Sequence, residues 1–142
     1  MQELQQKHTI PCYCLKIRRA SAVITKFYDD SLRGCGVTSR QYSLLYQISR
    51  KELCSVRELS DAAQLDRSTL ARSLKPLYQQ ALIADVRQPG TRNSRLKLTQ
   101  AGEETLAQAN RLWAGAQETV RQTLGGEGIA WLDRMLDLLG TL

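Results

Sequence analysis

Between Asp66 and Lys97 the chain places seven basic side chains, Arg67, Arg72, Lys75, Arg87, Arg92, Arg95 and Lys97, against two acidic ones, Asp66 and Asp85. Guanidinium groups are planar forks of donors that match phosphate oxygens and the paired acceptors of a guanine edge, and ammonium groups attract the same anions as point charges. Hydroxyls at Ser68, Thr69 and Ser73 are interleaved with them. The chemistry on offer is recognition of a polyanion rather than the making of bonds. The one histidine, His8, stands in a polar stretch, and the sequence has no phosphate-cradling glycine motif and no metal-protease histidine pair. Its carboxylates are scattered over helix faces, so no catalytic role, no cofactor and no site metal are expected.

Thiols offer a second chemistry. Cys12 and Cys14 lie close together, and Arg18 follows Cys14 by one helical turn. A cation there favours the thiolate, whereas burial between subunits opposes it. Three readings stay open: inert packing thiols, a sensor of peroxide or electrophile, and a soft-metal site joined by His8. Two thiols and one imidazole fall short of a closed tetrahedral zinc set. Cys35 and Cys54 lie beside element boundaries and read as structural.

The elements that must position these groups follow from apolar spacing. From Cys14 to Leu32, Ile17, Ala20, Ile24, Phe27, Tyr28 and Leu32 recur at steps of three or four, which predicts a long helix ended by Gly34 and Gly36. Thr38 can cap a second helix through Tyr42, Leu45 and Ile48. Ser55, with Glu58 three residues on, forms a capping-box pattern for a short third helix. Asp66 can cap a fourth, whose inner face is Leu70, Leu74 and Leu77, leaving Arg67, Ser68, Thr69, Arg72 and Ser73 off that stripe, with Lys75 a further DNA-binding candidate. Alternation over Leu82 to Arg87 and Ser94 to Leu98, around the turn-rich residues 88–93, predicts a β-hairpin with Arg92 and Arg95 on it. A long helix from Thr99 then carries Leu106, Ala109, Trp113, Ala116, Val120 and Leu124 until Gly125 and Gly126, and a last one holds Ile129, Leu132, Met135, Leu136 and Leu139.

The 142 residues, with a net charge of +6, suit one ordinary fold and an anionic partner. No apolar run reaches membrane-span length, and no signal core follows the polar start, so a cytoplasmic protein without membrane contact is expected. The fold class expected is mainly α with a small β-hairpin, a winged helix-turn-helix over residues 37–99. Segments 10–34 and 100–142 carry more apolar surface than that unit can cover, and their simplest use is a two-fold homodimer.

Three stretches make a resemblance specific. The run from Val56 to Leu77 (VRELSDAAQLDRSTLARSLKPL), then Ala81-Leu-Ile with Arg92, and Leu98-Thr-Gln-Ala-Gly102 are similar to the signature of the multiple antibiotic resistance regulator (MarR) family, over about residues 12–139. The resemblance implies a homodimer whose recognition helices, here residues 66–80, enter successive major grooves of a palindromic operator on double-stranded DNA. It also implies a repressor released by a small-molecule effector or an oxidant. In such a complex Arg72 would read guanine, and Arg92, on the 88–95 wing, would enter the minor groove. Where the family has Asp, any residue, Arg at the wing tip, this chain has Gly90, so Arg92 lacks that carboxylate brace. Aligned with the organic-hydroperoxide-sensing members, Cys14 falls on their reactive cysteine and Tyr28 on one of their tyrosines. The other two tyrosines correspond to Arg18 and Ser39, and no late resolving cysteine is present. Family ligands often sit between the dimerisation helices and the DNA-binding unit, where Tyr28, Tyr42, Tyr46 and Trp113 are candidates, although aromatics at helical spacing are commonly core. A winged-helix protein-interaction module without sequence-specific DNA binding is the alternative.

Overall fold

A computed structural model describes residues 12–142, so His8 and the start of the 10–34 segment lie outside it. Helix α1 is Tyr13–Leu32, followed by a single 3₁₀ turn, Arg33–Cys35. Then come α2 (Ser39–Ser49), α3 (Val56–Ala63) and α4 (Arg67–Gln79), strands β1 (Ile83–Asp85) and β2 (Leu96–Leu98), and α5 (Gln100–Leu139).

Side chains chosen for capping set the helix starts. Thr38 accepts from the Gln41 N–H at 3.2 Å while the Gln41 amide accepts from the Thr38 N–H at 2.9 Å. Ser55 and Glu58 form the reciprocal pair expected, at 3.1 and 2.8 Å. Asp66 and Thr99 accept from the N–H groups of Thr69 and Gly102, so α2 to α5 each have an orphan donor satisfied, whereas α1 begins at Cys12 with no side-chain cap.

Helix α2 lies at the centre, against α1, α3, α4, α5 and β2. Its Leu44, Leu45 and Ile48 are buried with Leu59 of α3, Leu70, Leu74 and Leu77 of α4, Leu96 of β2 and Leu106 and Ala109 of α5. The hairpin is antiparallel, with Ile83 opposite Leu98, Ala84 opposite Lys97 and Asp85 opposite Leu96. Its ladder is shorter than the alternation predicts. Cys54 adds a one-residue third rung, exchanging main-chain hydrogen bonds of 3.1 and 2.7 Å with Leu96.

Two glycines shape α5. Gly125 has φ 67° and ψ 173°, a conformation open to glycine, and it separates the two helices expected from the sequence without any intervening loop. Gly102 packs on the chain entering β1: a Cβ there would lie 2.0 Å from the Leu82 carbonyl oxygen. Thr99 closes the same junction, its N–H donating to Leu82 O and its hydroxyl to Ala81 O.

The ends of the chain behave differently from its middle. In α1 only Leu32 is buried, and beyond Ala116 no described residue is. Tyr13, Leu15, Ile17, Val23 and Ile24 of α1 and Trp131, Leu132, Met135, Leu136, Leu138 and Leu139 of α5 are exposed.

Candidate nucleic-acid interface

Because Leu70, Leu74 and Leu77 face the core, helical geometry turns the intervening residues outward. Arg67, Ser68, Arg72 and Lys75 are exposed, and Thr69 and Ser73 half-buried. The start of α4 is internally ordered. The Asp66 carboxylate accepts from both the N–H and the hydroxyl of Thr69, at 2.9 and 2.7 Å, and these bonds hold its carboxyl below the usual range. Arg72 Nη2 reaches the same Thr69 hydroxyl at 3.4 Å. Ser73 donates back to the Thr69 carbonyl at 2.9 Å, so both hydroxyls already have partners inside the helix.

On the hairpin, Arg92 and Arg95 are exposed. The tip is turned by Thr91, whose N–H and hydroxyl both meet the Gln88 carbonyl, at 3.2 and 2.7 Å. Further down, Ser94 Oγ accepts from the Val56 N–H at 2.8 Å and ties the hairpin to the start of α3. Of the seven basic side chains between Asp66 and Lys97, only Arg87 is in an ion pair among the described residues, with Asp85 at 3.3 Å. The other six leave their charge unneutralised, as a surface for phosphates requires.

Sequence reasoning missed Asp85 and Ser94. Asp85 Oδ1 accepts from the N–H groups of Arg87 (3.1 Å) and Arg95 (3.0 Å). Partial burial pushes its carboxyl up, but these N–H donors and the Arg87 charge outweigh that and leave it below the ordinary value. The bond to Arg95 also ends the ladder, because it takes the N–H that would complete the rung between Val86 and Arg95.

The remaining candidates divide. Cys12 and Cys14 are exposed at the start of α1, Cys35 donates to the Leu32 carbonyl, and Cys54 is buried, which pushes its thiol up. Among the described residues no three Cys, His, Asp or Glu side chains gather as a metal set. Tyr42, Tyr46 and Trp113 come together, with Tyr42 stacked on Trp113 at 5.9 Å and donating to Asn110 at 3.0 Å. Tyr28 instead donates to the side-chain amide oxygen Oε1 of Gln117, joining α1 to α5. An open cleft of about 360 Å³ lies nearby, bordered by Ile48, Lys51, Lys97, Leu106 and Asn110, and Asn110 links it to the aromatic cluster.

A helix pair presenting an unpaired basic face, α3 and α4, followed by an antiparallel hairpin bearing exposed arginines, defines a winged helix-turn-helix. Residues 37–96 match the MarR family. The chain is 31% identical over 117 residues to the HTH-type transcriptional regulator BilQ of Clostridium symbiosum (strain WAL-14163), covering 82% of this chain and 81% of that one. Its fold superposes on the M. tuberculosis transcriptional regulator MosR in complex with DNA with TM-score 0.79 and 31% identity, over 92% of this chain and 94% of that one. It superposes on an E. coli MarR mutant complexed with operator DNA with TM-score 0.79 and 21% identity, over 92% and 94% of the two chains. The chain belongs to the MarR family and is a transcriptional regulator by that membership. No helix among the described residues is long and apolar enough to cross a membrane.

Proposed function

We propose that the chain is a homodimeric, cytoplasmic repressor without catalytic activity that binds a palindromic operator through α4 and the wing. The carrying observation is the unneutralised basic face: Arg67, Arg72 and Lys75 on α4, with Arg92 and Arg95 on the hairpin, exposed and free of carboxylate partners among the described residues. Ser68 adds an exposed hydroxyl at the start of α4, beside the Asp66 carboxylate. Thr69 and Ser73 serve chiefly to order that helix for Arg72. Residues 37–99 form the DNA-binding unit, and 10–34 with 100–142 form the dimer, which their exposed apolar residues support. The MosR structure with DNA, from a relative of 31% identity, supports the same assignment.

Release follows from a ligand between the two units, near Tyr28, Tyr42, Tyr46 and Trp113, or from oxidation of Cys14 with Cys12, both at the start of α1.

The test is a titration of reduced protein against its own promoter DNA and scrambled DNA at two salt concentrations, before and after an organic hydroperoxide. Phosphate contacts make affinity fall steeply with salt, and base readout adds a large specific-over-nonspecific ratio. Arg72→Ala should cost about 1–3 kcal/mol and relax preference at one base pair. Arg92→Ala should weaken binding with little change in major-groove preference. Binding without promoter selectivity would favour a protein-interaction module. Selective binding untouched by oxidation would leave the regulator and remove the thiol sensor.

A further inference from the structure

We infer that Asp85 is the positioning residue of the wing: its carboxylate, placed across the neck of the hairpin, sets the course of the loop that carries Arg92. The inference rests on the reading of the wing as a DNA contact.

The carboxylate touches both strands at the point where they separate. Its Oδ1 accepts from the Arg87 N–H on the outgoing strand and from the Arg95 N–H on the returning one, at 3.1 and 3.0 Å. Alongside, the Val86 N–H donates to the Arg95 carbonyl at 2.8 Å. The side chain retains 22% of its exposure, and both bonds run to main-chain N–H groups held by the hairpin. Past this neck, the described bonds within the loop are those of Thr91 to Gln88, and Ser94 is tied outward to Val56. The tip offers Gly90 where a carboxylate beside Arg92 would brace it, so the direction of the loop is decided at its base.

Opening the neck would lengthen the free loop and widen the volume that Arg92 samples. That lowers its effective concentration at the groove, because more conformational freedom must be lost on binding. Asp85 also holds the Arg87 guanidinium, at 3.3 Å. Losing the carboxylate frees that cation for any phosphate. Specific affinity should therefore fall while sequence-independent affinity holds or rises, a combination that simple loss of folding does not produce.

The experiment measures promoter and scrambled duplex binding for Asp85→Ala, Asp85→Asn, Arg92→Ala and the Asp85→Ala/Arg92→Ala double variant, with thermal unfolding of each. Asp85→Ala should weaken promoter binding about tenfold without weakening scrambled binding. Asp85→Asn, whose amide oxygen still accepts from both N–H groups, should retain most of the affinity and keeps the test open if the alanine variant fails to fold. The double variant should bind no worse than Arg92→Ala alone. Losses that add in the double variant, or an Asp85→Asn as weak as Asp85→Ala, would overturn the positioning role and leave the wing assignment standing. An Arg92→Ala that binds like the parent would overturn both.

Discussion

Helix α4 and the last segment of α5 both carry leucines at helical spacing, yet Leu70, Leu74 and Leu77 are buried whereas Leu132, Leu136 and Leu139 are exposed. The periodicity is the same and the surroundings differ. Around α4, the chain itself supplies α2 and β1 to close over the stripe. Beyond Gly125 no described residue is buried. An apolar stripe thus announces that a partner exists, and the fold decides whether that partner lies within the chain or in a second copy of it.

The comparison can be broken first at its buried member. Leu70 is fully buried, so Leu70→Ala should cost about 3–5 kcal/mol of stability in chemical unfolding. A loss under 1 kcal/mol, taken as roughly the scale of a surface change, would mean that α4 is not seated in the core as described. The exposed member should respond the other way. Leu136→Glu puts a charge into an apolar contact between subunits, and sedimentation should show dimer dissociation rising roughly a hundredfold, on the order of 3 kcal/mol. The winged unit should keep its helical signal. An unchanged dimer would move the contact off this face.

The smallest effect sharpens the picture of the winged unit. Glu58 has a pKa lowered to about 2 from 4.5, by the Ser55 N–H first and then by Lys51. Its folded value is depressed, so the stability it adds is fully present above about pH 4.5 and is lost as pH falls toward 2. Glu58 is solvent-exposed, which keeps the contribution small. Glu58→Gln should flatten the slope of stability against pH in that window. An unaltered slope would place the acid sensitivity on other carboxylates.

Much of this architecture was legible because it is local. Thr38, Ser55, Asp66 and Thr99 are caps whose partners lie within three residues, and the α4 stripe is a plain helical repeat. Along the hairpin, alternation found both strands but overran their ends, since it cannot show that Asp85 will intercept the N–H groups of Arg87 and Arg95. The Cys54 rung has no period to detect, being one residue long. For the candidate interface, exposure of Arg67, Arg72 and Lys75 followed from phase alone. What stayed hidden were contacts between distant positions: Ser94 with Val56, Tyr42 with Asn110 and Tyr28 with Gln117.

The approach of Gly102 to the Leu82 carbonyl leaves no slack between the long helix and the root of the hairpin. The start of the long helix and the hairpin root are therefore packed as one unit, so a rotation of that helix would displace the root of the wing. In a two-fold pair the two units act as the arms of a calliper. With the far ends of the arms seated on each other as proposed, an effector or an oxidised thiol that reseats them would change the span offered to DNA while touching neither wing.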